Sequence, residues 1–207
     1  MKILSKNNID EAVKILNNNE ILAFPTETVF GLAIKADSLE NFNKLVEVKN
    51  RKPNKPFTLM ISNINQVKDL IEINDEAKII ISKFMPGPLT LILKAKKNIP
   101  YYLDLGSGFI GIRIPKDDFI LSLIDKVNFP LLVPSANPSD LKPAKNVDEV
   151  KKYFEGKIEA VVEGESTSNI PSTIIKIDNE ITLIRQGELS LETLLKEIKE
   201  YENCNCK

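Results

Sequence analysis

The sequence predicts a single α+β domain in which a mixed β-sheet is covered by helices, and three observations lead there. Apolar residues recur at helical spacing in some segments and in short β-type runs in others, and the two kinds interleave along the whole chain. Thr173–Ile177 and Ile181–Arg185 are separated only by Asp178-Asn179-Glu180, a hairpin-length connection that requires antiparallel pairing. No linker, low-complexity tract or internal repeat divides the 207 residues, whose 43% hydrophobic content suffices for one full core.

Ile9, Ala12, Val13, Ile15 and Leu16 mark the first helix, which a run of asparagines closes before a strand at residues 21–24. Asp37 stands three residues before Glu40 as a capping box, and Leu39, Phe42, Leu45 and Val46 give the next helix its apolar face. That helix ends near Asn50, because Pro53 and Pro56 follow. Residues 57–61 read as a strand, residues 67–71 and 77–84 as helical, the latter stopped by Pro86-Gly87-Pro88. Strands follow at 89–93, 110–114 and 131–133, with a helix at 119–124 between the last two. A helix over Val147–Phe154, a strand over Ala160–Val162, the hairpin and a last helix over residues 191–201 complete a domain spanning 1–202. Residues 203–207, with Cys204 and Cys206, read as a frayed tail.

The charge balance narrows the chemistry. With 28 basic and 29 acidic side chains the net charge is -1, so no whole-molecule field attracts nucleic acid, and an RNA site requires a local patch. The opening MKILSKNNIDEAV is too polar for a signal peptide or membrane span, which gives an expectation of a cytosolic protein. Histidine is absent, which excludes Ser-His-Asp and Cys-His arrangements and leaves Lys, Arg, carboxylates, hydroxyls and backbone groups. Gly106-Ser107-Gly108-Phe109-Ile110-Gly111 matches G-x-G-x-x-G formally, but it leads into a strand rather than a helix and is rejected as a dinucleotide site. No Walker loop occurs.

Several segments place chemically active residues together. Pro25-Thr26-Glu27-Thr28 puts two hydroxyls and a carboxylate after a strand, serving either as a capping turn or as a site. Lys49, Arg51 and Lys55 surround a helix C-terminus, where they complement its dipole or clamp a phosphate in a proline-stiffened loop. Ser135 and Asn137 leave a strand in a bend; Ser172 opens a strand and Arg185 closes one. Arg113 lies inside an apolar strand on the face of Gly111, where a lone cation wants an anionic partner.

In order, PTETVFGL, K-x-R followed by NKP, PGPLTLIL, IRIP, PSAN, an S-T-I-I strand and a late R-x-G resemble the YrdC-like (TsaC-type) threonylcarbamoyl-AMP synthase family in its short, single-domain form. The resemblance implies a twisted mixed sheet with helices around a large concave cavity. It implies synthesis of threonylcarbamoyl-AMP and pyrophosphate from ATP, L-threonine and bicarbonate, for transfer to tRNA by a threonylcarbamoyl-transferase complex. It assigns Lys49, Arg51, Ser135 and Asn137 to catalysis, and Arg51, Lys55, Ser135, Asn137 and Arg185 to ATP. Threonine falls to Thr28, Arg113 and Ser172, with the Met60 backbone as a further contact. No metal ligands are assigned, and magnesium is expected to arrive on the triphosphate. The alternative implied by the same resemblance is a protein that binds tRNA or double-stranded RNA without synthase activity.

Overall fold

The computed structural model describes residues 1–168 and 170–205, the last four by backbone alone. In chain order the elements are β1 (Lys2–Leu4), α1 (Ile9–Asn17), β2 (Leu22–Phe24), β3 (Gly31–Lys35), α2 (Leu39–Val48), β4 (Leu59–Met60), α3 (Asp75–Phe84), β5 (Leu89–Lys94) and α4 (Tyr101–Asp104). The second half continues with β6 (Phe109–Arg113), α5 (Asp118–Val127), β7 (Leu131–Leu132), α6 (Val147–Phe154), β8 (Ala160–Val162), β9 (Thr173–Ile177), β10 (Ile181–Arg185) and α7 (Leu191–Asn205).

Local chemistry sets the helix starts. Ser38, Asn74, Asp117 and Asn146 each hold extended backbone angles, and each accepts the N–H three residues on with its side-chain oxygen. Each cap satisfies a donor that the first helical turn leaves free, a contribution of about 1 kcal/mol.

The strands form one sheet in the order β1-β8-β2-β3-β7-β4-β6-β5-β9-β10. Parallel pairs (β1 with β8, β2 with β8, β4 with β6, β5 with β9) and antiparallel ones (including β9 with β10) occur in the same sheet, so the mixed sheet expected from the hairpin is present. A sheet of this size twists. One apolar cluster packs α1 and α5 on it through Ala12, Ile15, Leu16, Ile120, Leu123 and Ile124; the larger cluster includes Phe30, Phe42 and Phe57.

Register then exposes one surface. Ile92 pairs with Gly111 across β5 and β6, and Thr90 with Ile174 across β5 and β9. With side chains alternating along each strand, Phe109, Gly111 and Arg113 share a face with Thr90 and Ile92, and all five line one cavity.

The structure departs from the sequence expectations at several points. Strands β1 and β3 and the one-turn helix α4 went unforeseen. β1 has three residues, too few for a pattern, and β3 is buried from Gly31 to Ile34 on both faces, which removes the alternation that would reveal a strand. The cap of α2 is Ser38, not Asp37, because Ser38 is the residue adjoining the first helical position. Asp37 instead accepts from the Asn41 side chain at 2.7 Å and pairs with Lys35 at 2.9 Å. Where residues 67–71 were expected to be helical, a 3₁₀ turn over Ile64–Val67 gives way to a bridge between Ile71 and Ala95. Helix α7 continues to Asn205, so residues 203–205 extend the helix rather than forming a tail; Cys206 lies outside the described residues. The rejected glycine motif is a turn into β6, where the Asp104 carboxylate accepts the N–H groups of Gly106 and Gly108, each at 3.0 Å.

Candidate functional site

Two cavities meet along the loops that follow α2 and β7. The first, about 450 Å³, lies on the open face of β6, β5 and β9, and Arg113, Thr90, Ser172 and Arg185 stand at one of its ends. The second, about 510 Å³, is lined by Lys49, Arg51, Lys52, Lys55, Ser135 and Asn137. Arg51 and Ser135 line both. A third cavity, about 640 Å³, opens elsewhere between Asp69, Tyr102 and Phe129 and contains none of the motif residues.

At the first cavity, Arg113 is 6% exposed; its Nη2 forms an ion pair with Glu27 Oε1 at 2.8 Å and donates to Thr28 Oγ1 at 2.9 Å. This answers its demand for an anion: Glu27 is the partner, and Glu27 Oε1 also accepts the Lys116 N–H. Thr28 is fully buried behind the arginine, sharing a hydrogen bond with Thr26 at 2.9 Å, and it is not among the cavity-lining residues. Its observed work is to fix Arg113. The Arg113 Nε and Glu27 Oε2 are buried without a partner, so the pair is held by one bond where a fork could form.

Arg185 donates through Nε and Nη2 to the Ser172 carbonyl at 3.1 and 2.9 Å, and Nη2 also reaches Ser172 Oγ at 3.2 Å. Ser172 Oγ lies 2.9 Å from Thr90 Oγ1. Burial, and then the charge of Arg113, lower the Arg185 pKa. Two guanidinium groups therefore face one space, and an anion between them would relieve their repulsion. Met60 lines the same cavity from β4, which is paired on both edges, and stands in register with Arg113.

At the second cavity, the Arg51 guanidinium stacks 4.9 Å from the Phe57 ring centre and donates to the carbonyls of Lys55 and Pro56. The Lys55 side chain is exposed. Ser135 Oγ donates to Asn137 Oδ1 at 2.6 Å, and the Asn137 amide nitrogen donates to the carbonyls of Pro138 and Leu141, so Asn137 is fully engaged within its own loop. Lys49 is 2% exposed, and its ammonium donates to the carbonyls of Ser135 and Asn137. Burial, with a smaller effect from Arg51, pushes its pKa down to about 7.

The Sua5/YciO/YrdC family profile, described as telomere recombination, matches residues 14–187. The chain belongs to the Sua5/YciO/YrdC family. It is 36% identical over 187 residues to the putative threonylcarbamoyl-AMP synthase of Methanocaldococcus jannaschii, covering 88% of this chain and 87% of that protein. It is 31% identical to the threonylcarbamoyl-AMP synthase of Escherichia coli (strain K12), covering 89% of this chain and 98% of that one. P. abyssi Sua5 complexed with L-threonine superposes with a TM-score of 0.90 at 31% identity over 96% of this chain. The chain spans 61% of that protein's length.

In this Sua5/YciO/YrdC domain, the threonine-assigned Arg113, Ser172 and Met60 share a cavity that Thr28 does not line, and the ATP-assigned Arg185 bonds at Ser172, away from Lys55. Sequence reasoning passed over Thr90, Thr58 and Lys176, which also line the first cavity. The signal was present: Lys176 is a single charge in the apolar strand TIIKI, the same cue that marked Arg113. Among the described residues, no group of three or more acidic or cysteine side chains is placed to hold a metal ion, and no helix is long and apolar enough to cross a membrane.

Gly111 forms part of the cavity floor. A Cβ there would meet Thr58 Oγ1 at 3.5 Å and Thr90 at 3.7 Å, ordinary contact distances, so a larger side chain fits the strand and projects into the cavity. Gly111→Val is expected to keep Tm within about 3 °C of the parent and to weaken amino-acid binding, measured by calorimetry, at least about 10-fold. Unchanged affinity would count against the threonine site that the resemblance places on this face.

Proposed function

We propose that this protein is an ATP-dependent nucleotidyltransferase that forms threonylcarbamoyl-AMP and pyrophosphate from ATP, L-threonine and bicarbonate. The observation that carries the reading is the junction of the two cavities. One presents Arg113, Arg185 and hydroxyls, the other Lys52 and Lys55, and Arg51 and Ser135 belong to both. The names of the relatives and the threonine complex of P. abyssi Sua5 support the same reading.

In this proposal, the amino-acid carboxylate lies against Arg113 and Arg185, and the substrate hydroxyl meets Ser172 and Thr90. The triphosphate lies along Arg51 and Lys55, with magnesium carried on its oxygens as part of the nucleotide substrate. Threonine nitrogen, giving up a proton, bonds to the carbon of bicarbonate as its C–OH bond breaks, and water leaves to give a carbamate. A carbamate oxygen then attacks the α-phosphorus where the cavities meet, and pyrophosphate leaves. An anion approaches a polyanion, so the protein's contribution is alignment and charge neutralisation, which needs no histidine. The product passes to a tRNA threonylcarbamoyl-transferase complex in the cytoplasm.

The test is pyrophosphate release from ATP, which is expected only when threonine and bicarbonate are both present. Serine, lacking one methyl, is expected to be about 10- to 200-fold poorer, and alanine, lacking the hydroxyl, poorer still. Release that is absent, or equal with alanine, would overturn the assignment.

A further inference from the structure

We propose that Lys49 is a positioning residue, whose ammonium group builds the Ser135–Asn137 turn instead of neutralising a nucleotide phosphate; the inference rests on the ATP assignment above. Three bonds join residue 49 to this turn. The ammonium donates to the carbonyls of Ser135 and Asn137, and the Lys49 carbonyl accepts the Ser139 N–H at 2.8 Å. Two of the three ammonium donors are thereby committed to backbone oxygens in a site only 2% exposed.

The consequence falls on Ser135. Its hydroxyl donates to Asn137 Oδ1, and the Asn137 amide nitrogen ties onward to Leu141 at 2.7 Å. The direction in which Ser135 Oγ faces the two cavities therefore depends on a turn that Lys49 holds from beneath. Arg51, two residues on, behaves differently. Asn50 takes a left-handed conformation with φ 49°, the chain reverses after α2, and Arg51 reaches the surface shared by both cavities. The two cations of one K-x-R motif thus serve separate ends: Lys49 shapes the turn, while Arg51, with Lys55, supplies accessible positive charge. Removing the amine leaves the Ser135 carbonyl with only the Asn137 N–H at 3.0 Å and takes from the Asn137 carbonyl its lysine donor, which loosens the turn.

The test is a double-mutant cycle on ATP binding, read by calorimetry with the full chain. Lys49→Met is expected to weaken ATP about 10- to 100-fold and Ser135→Ala about 5-fold, while the double variant matches Lys49→Met within about 2-fold. The salt dependence of ATP binding is a second readout. It is expected to keep most of its slope in Lys49→Met and to flatten more in Arg51→Met, because salt screens an accessible phosphate contact far more than a buried ammonium. If Lys49→Met fails to fold, Lys49→Gln, which retains two amide N–H donors without the charge, enters the same cycle. Independent, multiplicative effects, or a flattened salt slope on removing Lys49, would overturn the inference and leave the function standing. Absence of ATP binding by the parent protein would overturn both.

Discussion

Arg113→Ala is expected to lower threonine-dependent kcat/KM by about 100- to 1,000-fold, the usual consequence of deleting a buried cation that meets a developing or bound anion. The same substitution should also destabilise the fold, because Glu27, whose side chain is only 16% exposed, is left as a half-buried carboxylate without its cation. Its Oε1 now pairs with the Arg113 guanidinium at 2.8 Å and its Oε2 has no hydrogen-bond partner. Breaking one side of a buried pair costs about 3–5 kcal/mol, or a Tm lower by about 6–20 °C in a chain of this size. The two effects are separable. Adding Glu27→Gln removes the stranded charge while keeping an oxygen for the Lys116 N–H, so Arg113→Ala/Glu27→Gln should regain most of the Tm but none of the turnover. Recovery of turnover in the double variant would show that Arg113 only balances Glu27.

Gly187→Ala is expected to be the most disruptive glycine substitution at the site. A Cβ at this position would collide with the Pro171 oxygen and the Thr173 nitrogen and lie 2.6 Å from the Ser172 carbonyl carbon. These are backbone atoms that no rotamer change can move. The Gly187 N–H also donates to Thr173 Oγ1 at 3.0 Å, so the turn after β10 lies directly on the start of β9. Pushing it away pulls Arg185 off the Ser172 carbonyl. Overpacking of this kind costs about 1–3 kcal/mol, and we expect Tm to fall by about 3–10 °C together with a rise in the KM for threonine. Gly156→Ala is the control: Gly156 has φ 74°, but a Cβ there would meet nothing within 4 Å, so it reports backbone conformation alone. A control that damages threonine KM as much as Gly187→Ala would remove close approach as the reason for the late R-x-G.

Much of the fold was legible because its signals are local. The stripe of α1, the proline stop after α3 and the short hairpin between β9 and β10 each occupy fewer than a dozen neighbouring residues. β3 was not legible: burial on both faces erases the polar half of its alternation. The site divides the same way. Arg113 announced itself as a charge among apolar neighbours, and its demand for an anion was sound, but the sequence did not say that Glu27 meets it. Lys49 and Arg51 read as one cluster of cations because they are two residues apart, and both line the second cavity, yet Lys49 bonds to the carbonyls of Ser135 and Asn137 while Arg51 stacks on Phe57.

By itself, then, the sequence determined the class of the fold, the absence of histidine chemistry and an ordered set of motifs that assigns the chain to a family, since each depends on residue identity and local spacing. Tertiary structure alone decided what each motif residue faces. The order β6-β5-β9-β10 brings Arg185 beside Arg113 across 72 positions of chain (185 minus 113). The loop after β7 brings the carbonyls of Ser135 and Asn137 onto the Lys49 ammonium. Contact and burial depend on which distant strands pair, and no stretch of sequence short enough to read as a motif contains that information.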